Sequence, residues 1–329
     1  MPNYSSIIKQ LQIEITTYCN AFCPGCGRNE QGAETISNLK LQHMDFDVWK
    51  KLINDDHFLE KISLITLNGM FGDPLMHPMI YEMIDQVPRD FIIEINTNGS
   101  MRNKVFWSRF AELLCEFEDH RLIWGIDGLQ DTNHLHRRGT VWQNIIDNLT
   151  AFNQRGGISE WRMTVFEHNK HQILDCKKLS QDLGCSKFTT RESYEPYMEA
   201  KAYKDMPSQV YHRVTKQEIA KILDDFSTDR LNKPEPLEVH SCPWLSDKSI
   251  QISADGKVWP CCYTSEEPYH KNRFDHIWTF PNIPNDLKTY TLQQILESEF
   301  YTSYIDKIWL GKKSRICNEC IYGNPEGED

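Results

Sequence analysis

The chain has 329 residues, of which 40% are hydrophobic and 25% are charged, values typical of a globular protein. Its formal net charge of -11 argues against nucleic acid as a partner, because an acidic surface repels a phosphate backbone. No apolar run is long enough to span a bilayer, and the first ten residues lack the pattern of a secretory signal. These features exclude a disordered or membrane-spanning protein and predict a soluble, cytoplasmic one.

Short β-branched runs alternate with longer amphipathic runs from the N-terminus to about residue 193, a pattern that favours parallel βαβ units. The predicted strands are Leu11–Thr17, Ile62–Asn68, Phe91–Thr97, Arg121–Asp127, Trp161–Phe166 and Lys187–Thr190. The predicted helices are Phe46–Ile53 with Asp45 as its N-cap, Met79–Gln86, Val105–Phe117, Asn144–Gln154 and Ile173–Leu183. Six strands are fewer than the eight of a complete barrel, so the predicted α/β fold is a partial (β/α)6 TIM-like barrel.

The predicted barrel covers residues 1–194, and a connecting segment richer in charge and proline covers 195–240. A small C-terminal domain is expected over 241–322, followed by a disordered acidic tail over 323–329. The elements predicted in these parts are a helix at Gln217–Phe226, a hairpin of Ser249–Ser253 and Lys257–Trp259 around an Asp-Gly turn, and a final helix at Leu292–Trp309.

Eleven cysteines are unevenly distributed, and Cys19, Cys23 and Cys26 share one short stretch directly after the first predicted strand. Thiols stay reduced in the cytoplasm, so such a cluster indicates metal ligands rather than disulfides. Three thiolates can hold three irons of a [4Fe–4S] cluster and leave the fourth iron open to chelate a small molecule. Zinc is the alternative, but a structural zinc site needs a fourth ligand and no nearby histidine supplies it.

Other cysteines and histidines have more ordinary interpretations. Cys115, Cys176 and Cys185 are interpreted as packing residues, because free cysteine is among the most buried residue types. His134 and His136 follow the fourth predicted strand and are interpreted as loop residues, with a substrate contact or proton relay as the alternative.

The spacing Cys19-x3-Cys23-x2-Cys26 after an opening strand resembles the signature of the radical S-adenosylmethionine (SAM) superfamily. Three strand-end segments resemble those of the family in the same order, namely Gly69–Pro74 (Gly-Gly-Glu-Pro), Asn96–Gly99 (Thr-Asn-Gly) and Gly125–Gly128 (Ser-x-Asp-Gly). The resemblance extends to about residue 190. It implies that the three cysteines are catalytic and hold a [4Fe–4S] cluster that binds SAM.

The resemblance also implies SAM contacts from residues at successive strand ends. The expected contact residues are Gly72, Asp73, Asn98, Asp127, Arg138 and Asn169. Three positions depart from the family pattern. Gly25 stands where an aromatic residue is frequent, Asp73 replaces glutamate and Gly125 replaces serine.

A second cysteine group consists of Cys242, Cys261, Cys317 and Cys320, with Cys262 as a spare. The hairpin turn returns Cys261 toward Cys242, and the final helix returns the last pair. Four thiolates can ligate a second [4Fe–4S] cluster or a zinc ion, and both alternatives stay open. The arrangement resembles the auxiliary-cluster domains called SPASM and twitch. Five cysteines, where a full SPASM domain has more, favour the twitch type.

The resemblance implies an oxidoreductase that cleaves SAM reductively to a 5′-deoxyadenosyl radical and abstracts hydrogen from a small molecule or peptide. The expected auxiliary [4Fe–4S] cluster accepts the electron left on the substrate, and the expected reductant is a flavodoxin or ferredoxin. The alternative is a non-catalytic iron–sulfur or zinc protein that transfers electrons or assists assembly. No Ser-His-Asp order, phosphate loop or dinucleotide fingerprint indicates another chemistry.

Overall fold

The computed structural model describes residues 7–30, 34–193, 214–223, 244, 247–266 and 283–305, and the structural statements below refer to these residues. The strands are β1 (Gln10–Ile13), β2 (Asn29–Glu30), β3 (Glu34–Thr35), β4 (Leu64–Leu67), β5 (Ile92–Thr97), β6 (Asp119–Gly125), β7 (Ser159–Val165), β8 (Lys187–Glu192), β9 (Ser249–Ile252) and β10 (Val258–Trp259). The α-helices are α1 (Phe46–Ile53), α2 (Asp56–Lys61), α3 (Ile80–Asp85), α4 (Lys104–Leu114), α5 (Asn133–His136), α6 (Trp142–Asn153), α7 (Ile173–Asp182), α8 (Lys216–Leu223), α9 (Cys262–Glu266) and α10 (Leu292–Leu296).

A sheet of eight strands organises the fold in the order β10, β9, β1, β4, β5, β6, β7 and β8. The six strands β1 and β4 to β8 lie in chain order and pair in parallel, so each crossover moves the chain to the next position. This order confirms the predicted partial (β/α)6 TIM-like barrel. Strands β2 and β3 form a separate hairpin that was not predicted.

Every predicted barrel strand is present, with its ends moved by a few residues. The largest change is at β1, which pairs with its neighbours only as far as Ile13 rather than Thr17. Beyond Ile13 the chain leaves the ladder: Thr16 forms only an isolated bridge, to His43. The residues after Ile13 are therefore a loop at the carboxyl end of the sheet, where active sites gather in parallel folds.

Helix α1 has the predicted bounds and the predicted N-cap. The Asp45 side chain accepts a hydrogen bond from Asp47 N. The predicted apolar stripe is buried and consists of Val48, Trp49, Leu52 and Ile53. By contrast, the final predicted helix is not continuous: α10 ends at Leu296, with Glu297 as its C-cap, and a π-helical turn at Phe300–Ile305 follows. Ser298 Oγ donates to Ile295 O at 2.6 Å, a local bond that competes with helix continuation.

The two faces of the barrel sheet differ in chemistry. On the outer face, Trp124 of β6 packs against Trp107 of α4 with ring centroids 4.6 Å apart, and both side chains are fully buried. The inner face instead carries the polar residues Gln12, Thr66, Glu94 and Arg121, which are register partners on β1, β4, β5 and β6. Because side chains alternate along a strand, one face forms the apolar core and the other lines a polar interior.

The predicted C-terminal hairpin is confirmed and extends the barrel sheet. Strands β9 and β10 are antiparallel around a turn in which Gly256 has φ +85°, a left-handed conformation suited to glycine. Strand β9 pairs in parallel with β1, with Gln10 opposite Ser249. The first strand is therefore an inner strand of the sheet rather than its edge.

Parts of the predicted organisation lie outside the described residues. These are the connecting segment except for residues 214–223 and the whole tail, 323–329. In the described ranges, no helix is long and apolar enough to cross a membrane. Of the cysteines predicted to pack, Cys176 is buried and Cys185 is partly buried, whereas the prediction is wrong for Cys115, which is the C-cap of α4 and is exposed.

Candidate active site

Cys19, Cys23 and Cys26 lie in the loop that follows β1, here called the cysteine loop; Cys23 is buried and the other two are partly buried. Burial raises the pKa of Cys19 to about 12, and the charges of Asp73, Cys23 and Cys26 add to the shift. Burial likewise raises the pKa of Cys23 to about 11. Such thiols keep their protons until a cation stabilises the thiolate form. Three soft sulfur donors from one loop fit an iron–sulfur cluster, whose irons replace these protons.

Hydrogen bonds from neighbouring strand-end loops fix the cysteine loop. Asp73 N donates to Tyr18 O at 2.9 Å, and Phe22 N donates to Arg138 O at 2.8 Å. The buried Arg28 donates from Nε to Thr17 O at 3.2 Å. The chain's own contacts therefore hold the three thiols at the carboxyl end of the sheet.

Asp73 joins the ends of β4 and β5. Its Oδ1 accepts from Leu75 N at 3.0 Å and its Oδ2 accepts from Asn98 N at 2.8 Å. The Thr97 hydroxyl lies 3.0 Å from each of these oxygens. Burial raises the pKa of Asp73, and the hydrogen bonds offset part of that rise. The carboxylate of Asp73, which stands where the family pattern has the longer glutamate, therefore has hydrogen-bond donors within the protein.

Asn98 connects the end of β5 to the cysteine loop. Its Nδ2 donates to Asn20 Oδ1 at 2.8 Å and lies 3.8 Å from Cys19 Sγ. Its Oδ1 accepts from Ser100 N at 2.9 Å. The Asn98 amide is therefore oriented from both ends and faces the first thiol.

Glu14 was not predicted from the sequence, yet it shapes the loop after β4. Its carboxylate is 3% exposed, and Oε1 accepts from Phe71 N at 2.5 Å and from Gly72 N at 3.1 Å. A Cβ on Gly72 would lie 1.9 Å from Thr16 O, so the close approach requires glycine. The available signal was the position of Glu14, a carboxylate at an inner-face position just before the cysteine loop.

Asp127 is a fully buried carboxylate at the end of β6. Its Oδ2 lies 2.6 Å from both Arg137 Nε and His136 Nδ1, and its Oδ1 accepts from Thr164 N at 2.6 Å. Burial alone would raise the pKa of Asp127, but Arg137 and His136 outweigh it and the pKa is lowered. Asp127 is therefore an anion bound on both oxygens by the protein.

The adjacent residues Arg137 and Arg138 occupy different environments. Arg137 donates from Nη1 to Cys23 Sγ at 3.9 Å in addition to its bond with Asp127. Arg138 presents its carbonyl to the cysteine loop. A Cβ on Gly125 would lie 2.7 Å from Arg137 Nη2. The missing serine at position 125 therefore has a physical reason, since its side chain would displace this guanidinium.

Two further residues tie the strand ends together. Asn169 is fully buried: its Oδ1 accepts from Phe166 N at 2.8 Å, and its Nδ2 donates to Asp127 O at 2.8 Å and Thr164 O at 3.0 Å. The prediction that His134 and His136 are loop residues is wrong, because both lie in α5. His136 bridges Asp127 to the cysteine loop, because its Nε2 lies 3.1 Å from Pro24 O. The sequence placed these residues at strand ends but not in one hydrogen-bonded network.

The second cysteine group is only partly described. Cys242, Cys317 and Cys320 lie outside the described residues, whereas Cys261 and Cys262 stand at the start of α9. Ser265 of α9 lies 3.6 Å from Met70 Sδ in the loop after β4. The helix that begins with Cys262 is therefore packed against the loop that contains Gly72.

The fold and this site define a class: an iron–sulfur enzyme built on a partial α/β barrel. Residues 13–179 match the Radical SAM superfamily, about half of the chain, and the chain belongs to this superfamily. Residues 242–321 match SPASM, an iron–sulfur cluster-binding domain. The Radical SAM match implies a [4Fe–4S] cluster that is used with SAM, and the SPASM match implies additional iron–sulfur clusters in the C-terminal domain.

Comparison with known proteins identifies a relative and structural neighbours. Over 107 residues the chain is 30% identical to the tungsten-containing aldehyde ferredoxin oxidoreductase cofactor-modifying protein of Pyrococcus furiosus, and this stretch covers 32% of the chain and 28% of the relative. The chain therefore matches under a third of that relative's length.

Two structural neighbours share the fold over most of the chain. Streptococcus suis SuiB bound to S-adenosylmethionine has a TM-score of 0.63 at 13% identity, and the match covers 97% of this chain and 72% of SuiB. Native anSMEcpe with bound AdoMet has a TM-score of 0.59 at 13% identity, and the match covers 95% of this chain and 86% of anSMEcpe. At this identity the likeness shows the fold alone.

Proposed function

We propose that Cys19, Cys23 and Cys26 hold the SAM-binding [4Fe–4S] cluster and that the enzyme abstracts hydrogen from a polar organic substrate inside the barrel. When bound and reduced, the cluster supplies the electron that cleaves SAM to methionine and a 5′-deoxyadenosyl radical. The observation that carries this proposal is that side chains from two strand-end loops meet two of the three thiols. Asn98 faces Cys19 and Arg137 faces Cys23.

Three of the six predicted SAM-contact residues bond groups of neighbouring strand ends. The carboxylates of Asp73 and Asp127 and the amide of Asn169 already bond protein groups. We therefore assign these three the task of orienting the strand-end loops. Gly72, Asn98 and Arg138 are proposed as direct SAM contacts, because their strand-end segments resemble those of the family. A fixed set of loops holds a bound molecule in one reactive geometry without reorganisation.

The substrate is proposed to be polar because of the inner face of the sheet. Arg162 pairs with the fully buried Glu160 at 2.7 Å and reaches Asn96 Oδ1 at 3.4 Å from the other side of β6. Asn68 Nδ2 donates to Gln12 Oε1 at 2.6 Å. An apolar ligand would leave the remaining hydrogen-bonding positions of these amides and charges unpaired, at a cost of about 1–3 kcal/mol each.

The relatives point to two classes of substrate, a small molecule and a peptide. The relative from Pyrococcus furiosus modifies a cofactor, and SuiB has been solved with the precursor peptide SuiA. A small polar molecule and a polar peptide segment are both compatible with the inner face. The reductant is proposed to be a flavodoxin or ferredoxin, which would supply electrons singly.

The C-terminal domain is proposed to hold an auxiliary [4Fe–4S] cluster of the twitch type, bound by Cys242, Cys261, Cys317 and Cys320. Its proposed role is to accept the electron that remains on the substrate after hydrogen abstraction, which makes the net reaction an oxidation. The contact between Ser265 and Met70 supports this role. It places the Cys261 region against the loop beside the SAM site.

The test is anaerobic reconstitution followed by addition of dithionite and SAM, with 5′-deoxyadenosine as the readout. The wild-type chain should release it, and Cys19→Ala, Cys23→Ala and Cys26→Ala should not. Cys115→Ala is the matched control, because it removes an exposed thiol outside the cysteine loop. Equal activity in the Cys23→Ala variant and this control would contradict the ligand assignment.

The auxiliary site has its own test. Iron analysis should give roughly eight irons per chain for two cubes. A Cys317→Ala, Cys320→Ala variant should keep SAM cleavage but lose turnover of substrate, with transfer of deuterium from candidate substrates into 5′-deoxyadenosine as the measure of turnover. Loss of SAM cleavage itself would instead make the C-terminal site structural.

A further inference from the structure

Arg137 is a cation placed against one thiol of the cysteine loop. Its guanidinium donates from Nη1 to Cys23 Sγ at 3.9 Å and from Nε to Asp127 Oδ2 at 2.6 Å. The Cys19 side faces the neutral amide of Asn98 instead. The three ligand positions therefore do not have equal surroundings.

The placement of Arg137 is fixed by three independent features. Asp127, which anchors it, is fully buried and bonded on both oxygens. Its chain neighbour His136 is tied to the carbonyl of Pro24, within the cysteine loop. Gly125 leaves the space that the guanidinium fills, because a Cβ there would approach Cζ to 3.1 Å. These contacts therefore hold the guanidinium in one orientation, toward Cys23.

A fixed cation near a cluster ligand affects electron transfer to the cluster. The reduced cluster carries one more negative charge than the oxidised cluster, so a nearby positive charge stabilises the reduced form. Hydrogen bonds to ligand sulfur act in the same direction, and both are recognised determinants of cluster potential. Arg137 is in contact with Cys23 Sγ, whereas the opposing charge of Asp127 bonds the guanidinium rather than the sulfur.

We infer that Arg137 is a positioning residue that acts through Cys23 to raise the reduction potential of the catalytic cluster. The inference rests on the proposed function, in which Cys23 is a ligand of that cluster. Asp127 holds the guanidinium and moderates its charge, so the pair sets how readily the donor reduces the enzyme. This role is separate from contact with SAM, because it operates before SAM binds.

The experiment measures the midpoint potential of the catalytic cluster by EPR-monitored titration without SAM. The auxiliary signal is removed with the Cys317→Ala, Cys320→Ala background. In that background, Arg137→Met should lower the reduced-to-oxidised ratio at fixed poise at least tenfold, which corresponds to about 59 mV for a one-electron couple. Arg137→Lys keeps the charge and should recover most of the shift.

Two further variants separate charge from folding. The double variant Arg137→Met, Asp127→Asn removes both charges of the buried pair and should lie between wild type and Arg137→Met. Arg155→Met removes an exposed cation paired with Glu112 and should leave the potential unchanged, since solvent screens it. Iron content is measured for each variant before titration.

Several results would overturn the inference. One is an Arg137→Met cluster with wild-type iron content and wild-type potential. Another is a change confined to SAM affinity, which would make Arg137 a SAM contact only. A third is failure of every Arg137 variant to assemble a cluster, which would make the residue an assembly requirement.

Failure of the proposed function gives a different result. A wild-type chain with no cluster in the Cys19–Cys26 loop would show no low-temperature EPR signal after dithionite in the same background. In that case the ligand assignment fails. A normal wild-type signal with unresponsive Arg137 variants rejects only the role of Arg137.

Discussion

Replacing Asp127 with asparagine tests whether the buried network at the end of β6 holds the site together. The Asp127 side chain is fully buried and faces Arg137 Nε and His136 Nδ1, both at 2.6 Å from its Oδ2. Asparagine has nearly the same shape, but its NH2 group would present donors to these donors. Arg137 would then be a largely buried cation without its anion.

Breaking one partner of a buried ion pair costs about 3–5 kcal/mol. This is a large share of a total stability of roughly 5–15 kcal/mol. Denaturant unfolding of the full chain, followed by tryptophan fluorescence under anaerobic conditions, measures the loss. Asp182→Asn is the matched control, because its partner Lys178 is exposed and the pair contributes about 0–1 kcal/mol.

The difference in unfolding free energy between wild type and Asp127→Asn depends on pH in a defined direction. The pKa of Asp127 is lowered in the folded chain, because Arg137 and His136 outweigh burial. Its contribution is therefore complete above the unfolded pKa of about 3.9 and is lost as pH falls below that value. The gap between wild type and Asp127→Asn should narrow below about pH 4. A loss no larger than that of Asp182→Asn, or a gap that widens in acid, would refute the reasoning.

Two other predictions concern the loops. Gly72→Ala places a methyl group 1.9 Å from the Thr16 carbonyl, so the variant should lose about 1–3 kcal/mol in denaturant unfolding and bind SAM more weakly, as measured by equilibrium dialysis. An unchanged affinity would show that the loop relaxes freely. Cys261→Ala should reduce the iron content by about four atoms per chain, whereas Cys262→Ala should not, and the reverse result would make Cys262 the ligand.

The barrel could be predicted from the sequence because its signals are local. Strands β1 and β4 to β7 carry buried apolar residues such as Ile93 and Ile95, and α1 begins at an Asp cap with an apolar stripe behind it. The short helix α2 was missed because six residues give too little periodicity to recognise. The hairpin of β2 and β3, two residues in each strand, gives even less.

The candidate site was predicted in its cysteines and strand-end loops but not in its hydrogen bonds. The spacing of the sequence does not show whether Arg137 or Arg138 pairs with Asp127, because that depends on which side chain turns toward the carboxylate. Glu14 was missed because it lies inside the predicted strand Leu11–Thr17, and the sequence does not show that its donors, Phe71 N and Gly72 N, come beside it. Such contacts join residues far apart in sequence.

The parallel pairing of β9 with β1 has a consequence for biosynthesis. During translation β1 emerges early, but the strand that covers its outer edge follows only after most of the chain has been made. Until then a row of backbone amides and carbonyls is open to other nascent chains. A protein truncated after β8 would keep the backbone edge of β1 exposed permanently. We therefore expect the isolated barrel fragment to aggregate, so that variants at the C-terminal cysteines need to be made in the full-length protein.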